Sequence, residues 1–436
     1  MKALLLLAGQ SRRFWPLCEK ALFPILGKTL LERQVEQLFL AGISDVTLIG
    51  GTHNIDQAKI LFPSLPVIRQ HDLSLGMRGA LLDALPQCEN GPVLIVSSND
   101  IVTSEAYRSV LQRMQEGNID GALLAQRVQR YFPGGYLTLE GDRVIGIVEK
   151  PLEEKQPSDL VNVVVHAHRS AAQLLEILKD TESVNDDAYE VALASLCRTS
   201  NYVAIPYEGL WHPVKYPWHL LPLLERLLGE EIRKSTISPS VAIHPTAVLQ
   251  GNVFLGEDVK IYPHATIIGP AYIGKGSIVA NNALVRGSSI GENCVVGFCT
   301  EVKSSVLSDH VWTHMNYIGD SIVGRNVSFG AGCITGNLRL DEEVIHTIVA
   351  GGKVTTHLKK FGTAIGDNCR LGINVSINPG VKIGSGSFIG SAVLVSKDIP
   401  ENTFVTQEPA QLSLRKNTAN SPTTEVRGVL KKALQH

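Results

Sequence analysis

Two stretches of this sequence place an aliphatic side chain at every sixth residue. Leu255, Ile261, Ile267, Ile273, Val279 and Val285 form one series; Ile365, Leu371, Ile377, Ile383, Ile389 and Val395 form the other. Small residues follow several of them, as in Leu255-Gly256, Ile273-Gly274 and Ile383-Gly384. Helices repeat at 3.6 residues and strands at 2, so neither asks for period six. A parallel β-helix with triangular coils does, because each side of the triangle is one rung whose aliphatic residue points inward and stacks on its equivalents. Residues 241–405 are therefore expected to form a left-handed β-helix of hexapeptide repeats. Such a solenoid suits an acyl-transfer site built between subunits, or a rigid trimerising spacer. The charged stretch from Asn337 to Lys360 is too long for a rung and is expected to project as a loop at a binding face.

The segment before the solenoid has another character. Residues 1–228 alternate apolar strand patterns (Met1–Ala8, Val46–Gly50, Val93–Ser98) with amphipathic stretches (Lys28–Ala41, Met77–Leu85). That alternation predicts an α/β, Rossmann-like domain with a mainly parallel, doubly wound sheet and ligands at the strand C-termini. A closing helix over Leu220–Lys234, a linker over 229–240 and a polar tail over 406–436 complete the expected organisation. Formal net charge is -2, which gives no electrostatic case for nucleic acid or a membrane. Ala3–Ala8 is far too short to span a bilayer and lacks the features of a signal peptide. The seven cysteines are scattered and never form CxxC, so neither a disulfide framework nor a zinc site is expected, and a reducing cytoplasm is the simplest location.

The loop after the first strand reads Leu7-Ala8-Gly9-Gln10-Ser11-Arg12-Arg13-Phe14-Trp15-Pro16-Leu17, followed by Glu19-Lys20-Ala21-Leu22. A small-residue turn between strand and helix lets backbone N–H groups approach phosphate oxygens, with Arg13 and Lys20 as counter-charge. Asp100 ends a buried strand, where a carboxylate would face the same phosphates and suits Mg²⁺.

On these residues, 1–228 resembles the sugar-1-phosphate nucleotidylyltransferases. Their A-G-x-G-[ST]-R-[LM]-x-P-L and P-K-A-L segments match Ala8, Gly9, Arg13, Pro16, Leu17, Lys20, Ala21 and Leu22. The base-contacting L-G-T-A-G-A resembles Leu75-Gly76-Met77-Arg78-Gly79-Ala80, and E-K-P stands as Glu149-Lys150-Pro151. The resemblance implies catalytic roles for Arg13 and Lys20. It implies substrate contacts for Gly9, Gln70, Gly76, Glu149, Lys150 and Asn162, and a Mg²⁺ ligand at Asp100. UTP or dTTP and a sugar 1-phosphate would be the substrates. The sequence departs from the pattern at Ser11, Arg12, Met77, Arg78 and Val164. Pro213 stands where a second metal-binding carboxylate is expected, with His212 and Glu208 the nearby candidates to replace it.

In the solenoid, Thr313-His314-Met315-Asn316-Tyr317-Ile318-Gly319-Asp320 breaks the repeat. An imidazole titrates near neutrality and is a suitable base for an amine attacking a thioester. Lys303 and Arg286 are candidates to hold a sugar phosphate, and Asn337 to hydrogen-bond the substrate or His314. These residues resemble the acetyltransferase half of the bifunctional glucosamine-1-phosphate acetyltransferase / N-acetylglucosamine-1-phosphate uridylyltransferase family. The resemblance implies His314 as catalytic base and acetyl-CoA as co-substrate near Ala331. It also implies substrate contacts at Arg286, Lys303, Tyr317 and Asn337. Ser328 replaces an active-site Asn, and the spacing from Glu301-Val302-Lys303 to His314 is one residue short. A bifunctional homotrimer is the principal reading. An acetyltransferase with a degenerate first domain and a non-catalytic sugar-nucleotide-binding scaffold are the alternatives.

Overall fold

A computed structural model describes residues 1–7, 9, 11–17, 19–183, 187–407 and 416. The strand Lys2–Leu6 alternates its side chains between two cores. Ala3, Leu5 and Leu7 pack with the helices Leu30–Leu40 and Ser104–Glu116. Leu4 and Leu6 pack with Gly76–Ala84, Ala171–Asp180 and Ala188–Thr199. A sheet apolar on both faces must be covered on both.

Nine strands make that sheet. From one edge they run Val67–Arg69, Val46–Gly50, Lys2–Leu6, Val93–Ser97, Leu160–His168, Gly121–Arg127, Tyr202–Pro206, Arg143–Glu149 and Gly135–Glu140. The first four are mutually parallel. Leu160–His168 runs antiparallel to both of its main neighbours, and Gly135–Glu140 with Arg143–Glu149 is an antiparallel pair. The sheet is thus mixed rather than mainly parallel, because Gly135–Glu140, Arg143–Glu149 and Leu160–His168 follow one another without intervening helices, whereas Tyr202–Pro206, reached through two helices, is parallel to Gly121–Arg127. Strand order reverses at Lys2–Leu6, between Val46–Gly50 and Val93–Ser97, which opens a crevice at their C-terminal ends.

The helix Leu220–Glu231 closes this domain, and the first solenoid rung, Thr236–Ile237, already pairs with Val253–Leu255. The segment 229–240, expected as a linker, therefore holds a helix end and a rung. Coil length shortens toward the inserted stretch and recovers after it. Leu255 pairs with Ile273, Ile273 with Ile290, and Val302 with Ile318, giving coils of 18, 17 and 16 residues, whereas Leu371 pairs with Ile389, again 18 residues on. The shortened spacing before His314 lies in that 16-residue coil. Every member of both six-residue series is buried. The corners turn through left-handed residues, among them Asp258, Asn293, Asn326, Asn368 and Asn402. Asn and Asp tolerate that conformation best among residues with a side chain.

One face of the solenoid is covered by the first domain. Val306, Ile322 and Ala364 pack with Phe14, Phe23, Trp218, Leu224 and Leu228. Leu26 N–H donates to Ser289 Oγ at 3.0 Å across this joint. The inserted stretch does not project freely. It forms an antiparallel hairpin, His346–Val349 with Gly352–Thr355, and its flanks bury Ile345 and Phe361 in the joint. The Phe361 and Trp218 ring centroids are 5.9 Å apart. A charged sequence conceals this because the apolar residues that anchor it lie at its two ends. The tail from 408 onward, Lys416 apart, lies outside the described residues. Among the described residues, no helix is long and apolar enough to cross a membrane.

Candidate functional sites

The crevice of the first domain is a cavity of about 620 Å³. Gly9, Arg13, Lys20, Gly76, Asp100, Glu149, Lys150 and Asn162 all line it, although they come from separate segments. Gly9 has φ 114°, a conformation only glycine adopts without strain, and it opens the loop beneath the cavity. Burial lowers the Lys20 pKa to about 8, against the attraction of Glu19 and Asp100. Burial raises the Asp100 pKa, while the Trp211 indole N–H, donating to Oδ1 at 2.8 Å, opposes that rise. Glu149 and Lys150 pair at 2.9 Å.

Gln70 sits beneath this wall. Its Nε2 donates to Asp72 O at 2.9 Å and Gly76 O at 2.8 Å, holding the Leu73–Gly76 turn. Its buried Oε1 has no hydrogen-bond partner among the described residues. A Cβ at Gly79 would lie 2.7 Å from Asp72 O, so the close approach of helix and turn needs glycine there. Arg78 points away from the turn. Its Nε donates to Leu178 O at 2.8 Å and its Nη2 to Lys179 O at 3.1 Å, capping the carbonyl end of Ala171–Asp180.

Pro213 lies directly opposite Asp100 in an antiparallel pair. Neither candidate replacement reaches the position. The His212 ring is held by His219 O at 2.7 Å, and Glu208 is exposed outside the cavity. The sequence reading missed Lys215. Its Nζ donates to Pro133 O at 2.7 Å, lies 4.2 Å from the Phe132 ring centroid and lines the cavity. Burial lowers its pKa to about 8, with Asp100 the main opposing charge. Its signal was a lysine two residues beyond a recognisable motif position.

The second group of residues lies on the solenoid face that contains Leu284–Arg286, Glu301–Lys303 and Tyr317–Gly319. Arg286 and Lys303 stand in register on adjacent coils. Arg286 pairs with Glu301, and Lys303 Nζ meets Asp320 Oδ2 at 2.8 Å. Asn337 Nδ2 donates to Tyr317 Oη at 3.1 Å and to Asp320. Asp320 thus clasps Lys303 and Asn337, a role the sequence reading did not assign. Gly319 leaves room for this: a Cβ there would meet Tyr317 Oη at 2.6 Å and Asn337 Nδ2 at 2.8 Å.

His314 is elsewhere. It occupies the corner before Tyr317–Gly319, whereas Asp320 occupies the corner after it. Ala331 shares the His314 corner on the next coil, where Gly332 N–H bonds Met315 O. Asn337 bonds Tyr317 and Asp320 instead of His314, whose imidazole makes no hydrogen bond among the described residues.

Residues 3–243 match the MobA-like NTP transferase domain family, 232–318 the GMPPB C-terminal domain, and 362–397 the bacterial transferase hexapeptide repeats. The bifunctional sugar-1-phosphate nucleotidylyltransferase/acetyltransferase of Sulfurisphaera tokodaii is 30% identical over 411 residues, covering 93% of this chain and 99% of that protein. The bifunctional protein GlmU of Methanococcus maripaludis is 31% identical over 415 residues, covering 93% and 97%. That of Methanocaldococcus jannaschii is 29% identical over 414 residues with the same coverage. Similarity extends through both halves and across the joint, and the chain belongs to the family of bifunctional sugar-1-phosphate nucleotidylyltransferase/acetyltransferases.

Proposed function

We propose that the first domain joins a sugar 1-phosphate to UTP or dTTP, and that the solenoid transfers acetyl from acetyl-CoA to an amino-sugar 1-phosphate. The observation that carries this is the convergence of Arg13, Lys20, Asp100, Glu149, Lys150 and Asn162 on one cavity at a strand-order reversal. In the first reaction a phosphate oxygen of the sugar 1-phosphate attacks the α-phosphorus of the triphosphate, and pyrophosphate leaves. Arg13 and Lys20 supply positive charge to the triphosphate, and Lys150, turned by its pairing with Glu149, faces the sugar phosphate. The donor set suits an ion shared with substrate rather than a protein cage. Asp100 offers one carboxylate, and no group of three His, Cys, Asp or Glu side chains able to hold a metal exists among the described residues. Mg²⁺ is commonly held by one carboxylate plus substrate phosphates. Such an ion, when bound, neutralises phosphate charge as the bond to pyrophosphate breaks.

In the second reaction His314 takes the amine proton as nitrogen attacks the thioester carbonyl, and coenzyme A leaves. Arg286 and Lys303 receive the phosphate, while Tyr317 and Asn337 orient the sugar. A homotrimer would bring the His314 corner of one subunit to the cationic corner of the next, and a cytoplasmic location suits all four substrates. The test is to assay pyrophosphate release from UTP or dTTP with sugar 1-phosphates, and thiol release from acetyl-CoA with glucosamine 1-phosphate. Asp100→Asn is expected to abolish only the first and His314→Ala only the second. Loss of both in either variant would contradict two independent sites.

A further inference from the structure

Behind Asn162 a chain of buried polar side chains runs into the core of the first domain. Asn162, His166 and His168 share the strand Leu160–His168. Tyr189 lies on the helix Ala188–Thr199, and Tyr202 begins the strand Tyr202–Pro206. His166 Nε2 lies 2.7 Å from Asn162 Oδ1, and its Nδ1 lies 2.8 Å from Tyr189 Oη. His168 Nε2 lies 3.3 Å from Tyr189 Oη, and its Nδ1 lies 2.8 Å from Tyr202 Oη. Both imidazoles are fully buried. Burial lowers the His166 pKa well below its ordinary value and that of His168 to about 3, so both rings are neutral near pH 7.

A neutral imidazole has one donor and one acceptor, and the Val163 carbonyl is a further acceptor beside the His166 ring, so the polarity is decided by the direction that leaves no buried donor unpaired. Suppose Asn162 donated its NH₂ to His166. Then each following hydrogen bond would reverse, and the Tyr202 hydroxyl, on a residue 2% exposed, would have no acceptor among the described residues. In the other direction no donor is orphaned. Tyr202 O–H donates to His168 Nδ1, His168 Nε2–H to Tyr189, Tyr189 O–H to His166 Nδ1, and His166 Nε2–H to Asn162 Oδ1. Buried donors are rarely left unpaired, and leaving one so is costly. This polarity occupies the Asn162 carbonyl and leaves its NH₂ as the polar group facing the cavity.

We propose that His166 and Tyr189 are positioning residues for sugar recognition: they lock the Asn162 amide so that it presents only N–H donors, which select an acceptor oxygen on the sugar, a hydroxyl or a carbonyl. This rests on Asn162 being a substrate residue, and the experiment separates the two claims. Steady-state kinetics are measured with N-acetylglucosamine 1-phosphate and UTP, and with glucose 1-phosphate and dTTP. Asn162→Ala and His166→Phe should each raise the sugar-phosphate KM about tenfold, the scale of one hydrogen bond, with the nucleotide KM little changed. The double variant should be no worse than Asn162→Ala, and His166→Gln, which keeps a donor toward Asn162, should recover most of the loss. An unchanged KM in Asn162→Ala removes Asn162 from the site. A raised KM in Asn162→Ala with a wild-type KM in His166→Phe overturns the positioning role. Should His166→Phe fail to fold, Tyr189→Phe provides the same comparison. Imidazole ¹⁵N spectra of the wild-type protein give a second readout. Both histidines should carry the proton on Nε2 and stay neutral from about pH 6 to 8; a proton on Nδ1 of either would overturn the proposed polarity.

Discussion

Two lysines in the first cavity hold their protons less tightly than free lysine does. Lys20 and Lys215 each titrate at about 8, chiefly because burial disfavours the charged form. A bound triphosphate adds negative charge beside them and raises both values. At pH 8 the free protein is therefore partly deprotonated at these positions and the complex is not, so binding takes up protons. Calorimetry of UTP or dTTP binding at pH 8, in two buffers of different ionisation enthalpy, should show that uptake, and it should vanish near pH 6.5. Pro213 supports a second expectation. An aspartate there would face Asp100 across the strand pair and add a second hard ligand. Pro213→Asp should tighten Mg²⁺-dependent nucleotide binding and Asp100→Asn should weaken it; wild-type activity indifferent to Asp100→Asn would remove this metal site. That Arg13, Lys20 and Asp100 line one crevice was legible in the sequence because each stands close after a strand. Lys215 and the His166 chain were not, because their roles depend on which walls meet after folding. The role of Arg78 was not legible either, since nothing local shows that it caps a helix a hundred residues away.

At the scale of elements, the solenoid was legible because a single period governs it, and inward aliphatics leave no other register. The inserted hairpin was not legible, because its buried residues are few and its surface is charged. It is pinned at several points. Lys382 Nζ meets Thr347 Oγ1 and Ile348 O, both at 2.7 Å, and Thr347 Oγ1 donates to Gly380 O at 2.8 Å. Phe361 is fully buried where the hairpin, the solenoid and the helix Leu220–Glu231 meet. Phe361→Ala should therefore act on the joint more than on either domain. A cavity of that size costs about 3–5 kcal/mol. Calorimetric unfolding should change from coupled transitions to two separated ones, with the first domain melting at lower temperature. A single unshifted transition would show that the hairpin does not couple the domains.

The whole molecule poses a problem that one chain does not solve. His314 and Ala331 lie on one corner of the solenoid, while Arg286, Lys303, Asp320 and Asn337 lie on another. A strand with its flanking turns separates them by roughly 15 Å at about 3.3 Å per residue. On the proposed roles, the attacking amine has to lie within hydrogen-bond reach of His314, so the two corners of one subunit would not serve the same substrate. In the proposed homotrimer, threefold association would join one subunit's first corner to its neighbour's second, because a cyclic interface brings unlike surface patches together. Phe298, Met315, Ile334 and Ile373 are exposed around the His314 corner and offer apolar surface for that contact. Complementation tests the arrangement directly. His314→Ala and Lys303→Ala should each be inactive in acetyl transfer, with losses of roughly two to four orders of magnitude for the missing base. Unfolded together and refolded as an equal mixture, they should regain about a quarter of the wild-type rate, since one interface in about four then receives both intact corners. A site contained within one subunit predicts no recovery, and a stable monomer in sedimentation at micromolar protein would exclude the shared site altogether.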